Sequence, residues 1–381
     1  MYDIPGMIGG YTDDIHALWK DVQDSHPDLF WTPRNGGHWV STRHDDMVRL
    51  CTDTACFSNL EPFIPIGIVP HTGPSQMDAP DHAPFRKLVS MAFTPASLNK
   101  AGIRARAAAV EIIDRLRPQG RCDFMQDFAG VMPIITFLNL LGMSESEAPY
   151  LLDLAKRLVP GQPGMEAAQA ETHDYIAALI HDRQVRPGDD FVSMLVRAQV
   201  MGRDLTATER HNVVQLVVTG GLDTVINTTS FAMAHFARHP ALQRELRENP
   251  DLLEGATDEI SRRFGTSNLA RLTRVDTELA GVAIRAGDQV LGIFPLSGLD
   301  ERVNPDPMRF DPRRSKRRHV NFGSGPHTCL GARLARREIR IFLEEWIGTM
   351  PDCHLAPGTS PRMSTGIINA MTGLHLEWQP G

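Results

Sequence analysis

The sequence of 381 residues lacks the features typical of disulfide-rich, zinc-binding, nucleic-acid-binding and membrane-spanning proteins. Its five cysteines are an odd number and form no CxxC pair, which argues against a disulfide framework and against a zinc site. Basic residues do not outnumber acidic ones, and a net charge of −7 at pH 7 disfavours general attraction to nucleic acid or anionic membranes. We therefore expect no nucleic-acid partner, and each cysteine is judged by its own surroundings.

Uninterrupted apolar runs of membrane-spanning length are also absent. The stretch from Phe128 to Met143 is too short, and the stretch from Val213 to Phe236 is interrupted by Asp223 and two glycines. The N-terminus, MYDIPGMIGGYTDD, has neither the basic nor the apolar region of a signal peptide. We predict a cytoplasmic protein that makes no use of a membrane.

Hydrophobic periodicity predicts a mainly helical chain with a smaller part that contains strands. Helical spacing dominates from 81 to 264 and returns after the last glycine-rich loop, whereas residues 1 to about 80 are rich in Pro and Gly. The predicted strands lie at 29–32, 39–42, 278–284, 289–291 and 374–378. The first two form a hairpin through Asn35-Gly36-Gly37. Composition alone leaves the number of domains open.

The most informative segment is a glycine-flanked cysteine loop, Phe322-Gly323-Ser324-Gly325-Pro326-His327-Thr328-Cys329-Leu330-Gly331. The glycines permit a tight turn, and an amphipathic helix is predicted to follow from Ala332 to Trp346. A cysteine at a helix N-terminus has its thiolate favoured by the helix dipole and by free N–H groups. Cys329 is therefore a candidate metal ligand, or a nucleophile with His327 as its base, or a buried structural cysteine.

A long helix is predicted from the capping box at Thr206 and Glu209 to Phe236. Inside it lies Gly220-Gly221-Leu222-Asp223-Thr224, in which each glycine costs roughly 1 kcal/mol relative to alanine. That cost predicts a local opening, where Asp223 and Thr224 supply a carboxylate and a hydroxyl for proton delivery. The alternative is a helix that packs closely through its glycines, with Asp223 in an ordinary surface pair.

Charged residues form two further patterns. Glu259 and Arg262 are three apart on a predicted helix, and such a pair is usually solvated. Basic residues are dense on both sides of the cysteine loop, although most basic runs are only solvated surface. The members of this basic cluster are Arg313, Arg314, Lys316, Arg317, Arg318, Arg333, Arg336, Arg337 and Arg340.

Together these segments resemble the cytochrome P450 superfamily. The cysteine loop matches the haem-loop signature Phe-Gly-x-Gly-x-His-x-Cys-x-Gly at every defined position, and Pro307-Met308-Arg309-Phe310 matches a Pro-x-Arg-Phe segment. The Gly220 to Thr224 motif and Glu259-x-x-Arg262 precede the loop as they do in that superfamily. The similarity covers nearly the whole chain and is greatest to the camphor-hydroxylating subfamily, in segments that include 27–32, 35–39, 61–65 and 297–302.

The resemblance implies the mainly α cytochrome P450 fold, with haem between the long central helix and the cysteine loop. We expect a single domain over 1–381. Its β-containing lobe is expected from parts of 1–80, 271–320 and 352–381, and its helical lobe mainly from 81–264 and 329–350.

The resemblance also implies heme b as cofactor and O2 as co-substrate, with Cys329 as the axial ligand whose electron donation favours O–O cleavage. The other four cysteines are expected to be structural. Thr224 would steady dioxygen and Asp223 would relay protons. His327, Arg271, Arg86 and His82 would bind the haem propionates. The other residues implied in holding the haem are Phe322, Gly323, Gly331, Gly220 and Gly221. Glu259, Arg262 and Arg309 would maintain the fold.

By position, an apolar substrate pocket would be lined by Phe63, Leu216, Thr219, Leu269 and Ile367, for which ordinary core packing is the alternative. Camphor enzymes hold the substrate ketone with a tyrosine after the Phe-Ile-Pro segment, but none of the four tyrosines lies there, and Pro70 is near that position. A buried ketone without a donor is penalised by roughly 1–3 kcal/mol. We therefore expect a norisoprenoid of the ionone type rather than camphor.

The expected electron donor is a [2Fe–2S] ferredoxin reduced by an NADH-dependent reductase, docking at Lys316, Arg336 and Arg337. We expect a monomer. Two other classes remain open from the residues alone. A haem-thiolate sensor without turnover would have no need of Asp223 and Thr224, and a hydrolase would use Cys329 and His327.

Overall fold

The computed structural model describes residues 11–68, 71, 73–157 and 164–380. Within them α-helices predominate, as the periodicity predicts. They are α1 (Ile15–Ser25), α2 (His44–Thr52), α3 (His82–Ser90), α4 (Pro95–Leu116), α5 (Val131–Leu141), α6 (Ala148–Arg157), α7 (Met165–Val185), α8 (Phe191–Arg197), α9 (Ala207–Leu222), α10 (Thr224–Arg238), α11 (Pro240–Glu248), α12 (Leu253–Arg263), α13 (Phe294–Leu299) and α14 (Ala332–Ile341).

The strands are short and belong to small sheets. They are β1 (Leu29–Thr32), β2 (His38–Ser41), β3 (Phe57–Ser58), β4 (Arg121–Asp123), β5 (Gln199–Val200), β6 (Arg203–Asp204), β7 (Asn268–Thr273), β8 (Thr277–Leu279), β9 (Val282–Ile284), β10 (Gln289–Ile293), β11 (His354–Leu355), β12 (Arg362–Ser364), β13 (Ala370–Gly373) and β14 (His375–Glu377). The largest sheet has the order β1-β2-β10-β7-β3, and only its β2–β10 pair is parallel.

Local sequence explains where these elements begin and end. The predicted hairpin β1–β2 forms, and Asn35, Gly36 and Gly37 all have positive φ in its turn. Helix α4 begins at Pro95, whose fixed φ suits the first helical turn, while the Thr94 hydroxyl accepts from the N–H of Ser97. The capping box of α9 is complete, because Thr206 and Glu209 each accept from the other's N–H.

Three boundaries differ from the predictions. The stretch 278–284 is a hairpin rather than one strand, because Ala280 and Gly281 take positive φ and turn the chain between β8 and β9. Strand β7, which contains Arg271, begins at Asn268, before the expected limit of the β-containing lobe. Strand β4 lies inside the expected helical lobe and pairs with β14.

The helices pack into two large apolar clusters. The first cluster joins α1, α4, α10, α12 and α14, with residues such as Phe231, Phe236 and Trp346 fully buried. The second cluster joins α3 with α5, α6, α7, α8 and α9, and it includes Phe137 and four valines of α9. The central helix passes from one cluster to the other, with α9 in the second and α10 in the first. Among the described residues, no helix combines the length and the hydropathy needed to cross a bilayer.

Candidate active site

The cysteine loop adopts a tight turn directly before α14. The N–H of Cys329 donates to the Phe322 carbonyl at 2.7 Å, which closes the loop. Gly323 and Gly325 have φ of +71° and +67°, a backbone region that suits glycine. A side chain at position 325 would also lie 2.9 Å from the Cys51 carbonyl oxygen, so α2 packs against this turn as closely as a glycine permits.

The Cys329 side chain lies in a recess rather than in the packed core. The residue is exposed, whereas Cys51, Cys122 and Cys353 are buried. Burial by surrounding protein nevertheless raises the pKa of the Cys329 thiol, against the N–H groups of Gly331 and Ala332 and the charge of Arg86, which lower it. A thiol that is accessible and also desolvated is placed to meet a bound group, and coordination to a metal would deprotonate it.

A buried arginine stands beside this recess. Arg271 lies in β7, and its guanidinium donates to the Ala270 carbonyl at 2.8 Å and approaches the Cys51 sulfur at 3.9 Å. Burial lowers the pKa of Arg271, which shows how strongly its charge is desolvated. In the part of the chain that the structure describes, no carboxylate pairs with it. Burying an unpaired charge is costly, so an anion from outside the chain is expected there.

Two histidines and a second arginine converge on the same edge. His82 and Arg86 lie one turn apart on α3, and Arg86 donates to the Thr328 carbonyl of the cysteine loop. The His82 ring is 4.0 Å from the ring of His327, and its Nε2 is buried with no partner among the described residues. Burial lowers the pKa of His327 to about 3, so this ring is neutral at pH 7.

These donors suit a haem. A haem is a flat metal complex with carboxylate arms. The accessible thiol could bind its metal, and the two buried or half-buried guanidiniums and two neutral imidazoles could bind its carboxylates. The unpaired Arg271 and the orphaned His82 nitrogen are the observations that favour this fit over a hydrolase site. A hydrolase would need His327 hydrogen-bonded to Cys329 as its base, and among the described residues no such bond forms.

The central helix is interrupted at the predicted place. Asp223 separates α9 from α10 with φ of −105° and ψ of −38°, and the Thr224 hydroxyl lies 3.5 Å from the Gly220 carbonyl. Burial raises the pKa of Asp223 to about 6. A carboxyl with this pKa exchanges protons readily near neutral pH.

The two glycines before this break have different roles. A side chain at Gly221 would lie 2.7 Å from the Phe137 ring, so this glycine permits close packing of α9 on α5. A side chain at Gly220 would meet nothing within 4 Å, so the helix faces open space there. The predicted opening and the alternative of close packing through glycine are therefore both present, one residue apart. Gly221 faces α5 and not the open side.

The five pocket candidates share one property: each is half-buried rather than part of the fully buried core. Leu216 and Thr219 lie on one face of α9, as residues three apart do, and Leu216 lies beside the turn at Gly73. Leu269 and Ile367 are brought together because the N–H of Asn268 donates to the Ile367 carbonyl at 2.9 Å. The Phe63 carbonyl accepts from Gln289 at 2.9 Å. Pro70 lies outside the described residues.

The buried ion pair forms, but the prediction for its third residue is wrong. Glu259 and Arg262 are fully buried and joined by two contacts of 2.6 and 2.8 Å. The Arg309 side chain is exposed, and only its carbonyl oxygen contributes, accepting from Arg262 at 3.3 Å. The guanidiniums that reach Glu259 instead belong to Arg314, at 3.1 Å, and to Arg317, at 3.6 Å. Arg314 comes close because the turn that follows Phe310 folds back over α12.

The basic cluster is partly used inside the protein. Arg336 pairs with Asp258 and with Glu254, and Arg337 donates to the Asn99 side chain at 3.0 Å. Lys316 is exposed, and so is Arg333 at the start of α14. Lys316 and Arg333 are therefore available to a partner protein. Two of the three predicted docking residues, Arg336 and Arg337, make contacts within the protein instead.

Sequence reasoning missed one contact at the edge of the site. Cys51 is among the cysteines expected to be structural, yet its sulfur accompanies Arg271, and the N–H of Ser324 in the cysteine loop hydrogen-bonds it. No local pattern around Cys51 signals this position, because α2 and the cysteine loop are distant in sequence.

Comparison with known proteins identifies the family to which this chain belongs. A sequence model of the cytochrome P450 family matches residues 136–263 and 261–349. The probable cytochrome P450 127A1 of Sinorhizobium fredii is 33% identical, over 99% of this chain and 93% of that protein. Cytochrome P450-terp of a Pseudomonas species is 29% identical, over 91% of this chain and 90% of that protein.

Solved structures give the same result over the whole fold. The crystal structure of CYP101C1 has a TM-score of 0.90 and 35% identity, and covers 99% of this chain and 96% of that one. The crystal structure of CYP101J2 has a TM-score of 0.87 and 33% identity, and covers 99% of this chain and 95% of that one. The predicted fold class is confirmed. This chain belongs to the cytochrome P450 family and is a haem-thiolate monooxygenase with O2 as co-substrate.

Proposed function

We propose that this monooxygenase hydroxylates a small apolar terpenoid-like molecule, with Cys329 as the iron ligand and two electrons from a [2Fe–2S] ferredoxin that an NADH-dependent reductase reduces. The observation that carries the proposal is the accessible, desolvated Cys329 thiol beside the unpaired, buried Arg271. We further propose that residues 1–381 form one domain and that the protein is a cytoplasmic monomer.

The residues around the recess divide the work of holding the cofactor. Arg271, Arg86, His82 and His327 would bind the two propionates, because they offer charge and hydrogen-bond donors at one edge. Phe322, Gly323, Gly331 and Gly220 would let the backbone approach both haem faces closely. The haem, when bound, supplies the activation of dioxygen and the transfer of one oxygen atom to a C–H bond.

Asp223 and Thr224 would deliver the protons that this reaction consumes. Asp223 lies at the break between α9 and α10, and Thr224 is the first residue of α10. With a pKa of about 6, Asp223 is protonated in an appreciable fraction of molecules near neutral pH and recovers a proton quickly after giving one up. The Thr224 hydroxyl, which can both donate and accept, is the adjacent link. A haem sensor without turnover would gain nothing from this pair.

The substrate preference can be tested by binding alone. Among the five proposed pocket residues only Thr219 carries a hydroxyl, and that hydroxyl donates to the Gln215 carbonyl at 2.8 Å on its own helix. A ketone would thus find no free donor among them, which favours a molecule held by its apolar surface. We expect α- or β-ionone to convert the haem to high spin more completely than camphor does, as measured by the Soret band. A full shift with camphor and none with ionone would reverse this preference.

The proposed ferredoxin site is tested best at the charges that the fold leaves open. Reversal of Arg336 would place a glutamate against Asp258 and Glu254, and would therefore disturb the fold as well as the surface. The double variant Lys316→Glu and Arg333→Glu changes exposed residues only. Since charge reversal at a docking rim acts mainly on association, we expect ferredoxin-driven reduction to slow by about tenfold at low salt.

The matched control is chemical reduction by dithionite, which needs no docking. It should proceed equally in the double variant and in the unmodified protein, and substrate-induced spin shifts should also be equal. Unchanged ferredoxin-driven reduction in the double variant would exclude this face as the docking site.

A further inference from the structure

A buried polar network lies behind one wall of the proposed pocket. Asn268 and Asn369 have no exposed surface, and Thr365 and Trp19 are almost completely buried. The Asn268 amide nitrogen contacts the Asn369 Oδ1 at 3.1 Å, the Thr365 hydroxyl at 3.2 Å and the Gly366 carbonyl at 2.8 Å. A buried polar group is costly unless it is hydrogen-bonded, so these bonds constrain the local arrangement.

One oxygen holds the network together. The Oδ1 of Asn369 accepts from the Thr365 hydroxyl at 2.7 Å, from Asn268 and from the Trp19 indole N–H at 3.3 Å. The Nδ2 of Asn369 and the Oδ1 of Asn268, in contrast, have no partner among the described residues. The function of Asn369 therefore resides in its acceptor oxygen, and its amide nitrogen contributes little.

The network is joined to the pocket wall by main-chain bonds. The N–H of Asn268 donates to the Ile367 carbonyl at 2.9 Å, and the N–H of Asn369 donates to the Thr266 carbonyl at 2.7 Å. Ile367 thus lies in a turn that is bonded to Asn268 at the start of β7 and to Thr266 just before it. Along β7 the side chains alternate, so Asn268 and Leu269 point to opposite faces. The fully buried Asn268 lies on the rear side, and the half-buried Leu269 faces the proposed pocket.

We infer that Asn369, with Asn268 and Thr365, positions the Ile367 turn and thereby limits the size of molecule that the pocket accepts. This inference rests on the proposed function, because it takes Leu269 and Ile367 as pocket walls. Asn369 is a positioning residue, since it reaches the pocket only through the turn. Its loss leaves the Thr365 hydroxyl and the Trp19 indole N–H without their acceptor in a buried interior and removes one acceptor of the Asn268 amide, so the turn must shift to give these donors partners.

The test compares two probes that bind haem iron through nitrogen and differ in size, imidazole and 4-phenylimidazole. In Asn369→Ala we expect the dissociation constant of 4-phenylimidazole, measured from the Soret shift, to change by about tenfold. The dissociation constant of imidazole, which is too small to touch the wall, should stay within about twofold. A general loss of structure would change both probes together.

Two further variants separate positioning from folding. Asn369→Asp keeps the acceptor oxygen, and its protonated carboxyl has nearly the shape of the amide. Because burial favours the uncharged form, this variant should restore the ratio of the two dissociation constants at mildly acidic pH. Thr372→Val is the matched control, because Thr372 donates to Arg362 on the same hairpin but outside the network. It should leave the ratio unchanged. If Asn369→Ala does not bind haem, Thr365→Val, which removes one donor to Asn369 and one acceptor of Asn268, supplies the same measurement.

The outcomes distinguish a failure of the inference about Asn369 from a failure of the proposed function. An unchanged ratio in Asn369→Ala and Thr365→Val, with intact thiolate spectra, would overturn the inference and leave the proposed function standing. The same holds if Asn369→Asp fails to restore a ratio that Asn369→Ala has changed. Absence of imidazole binding and of a thiolate spectrum in the unmodified protein would instead contradict the proposed function itself.

Discussion

Replacing Cys329 with alanine is expected to abolish the red-shifted Soret band of the ferrous carbonyl form and to reduce hydroxylation to background. The band depends on electron donation from a thiolate, and alanine offers no ligand at this position. The contacts that Arg271, His82 and His327 make do not involve the Cys329 sulfur. Arg271, His82 and His327 should therefore still retain some haem, which carbonyl spectroscopy of the reduced variant would detect with a normal, unshifted band.

The matched control is Cys56→Ala, which removes a half-buried free thiol away from the cysteine loop. It should keep the red-shifted band and the activity. If Cys329→Ala kept spectra identical to those of the unmodified protein, another residue would be the ligand. The assignment of the recess would then be wrong, although membership of the family would not be affected.

Replacing Asp223 with asparagine is expected to lower the rate of product formation by about 10²- to 10⁴-fold, the usual contribution of a positioned acid or base. Asparagine has nearly the same shape but cannot release or recover a proton. Because burial raises the pKa of Asp223 to about 6, the rate of the unmodified enzyme should show an inflection near pH 6 that the variant lacks. Steady-state product formation measured on either side of that pH checks both points.

Haem binding and substrate-induced spin shifts should be unchanged in Asp223→Asn, because neither step needs the proton. Thr224→Val serves as the companion variant, since it keeps the β-branched shape that suits its helix and removes only the hydroxyl. It too should lose product formation while retaining the spectra. An Asp223→Asn enzyme with the full rate and an unaltered pH profile would remove this residue from the proton path.

Most of the site could be predicted because its elements are local in sequence. The cysteine loop occupies ten consecutive residues, and the two glycines ahead of Asp223 are costly enough in a helix interior to indicate a break there. His82 and Arg86 are one turn apart, so their shared face follows from helical spacing. Local geometry of this kind changes little with the rest of the fold.

The features that could not be predicted depend on contacts between distant segments. Whether Arg309 or Arg314 reaches Glu259 is decided by the turn after Phe310, whose path depends on packing against α12. The Asn369 network joins residues on α1, β7 and the turn before β13, and no spacing in the sequence relates them. Which residues of the basic cluster are exposed also depends on distant segments, because the acidic partners of Arg336 come from α12.

The position of the helix break has a mechanical consequence. Helix α9 packs within the second cluster and α10 within the first, so Asp223 lies at the seam between two separately packed blocks. A movement of the two clusters away from each other that widens the pocket would change the angle between α9 and α10. The relative positions of the Asp223 carboxyl and the Thr224 hydroxyl would change with it. If Asp223 and Thr224 deliver protons as proposed, closure of the pocket around a substrate would also bring the carboxyl and the hydroxyl into line.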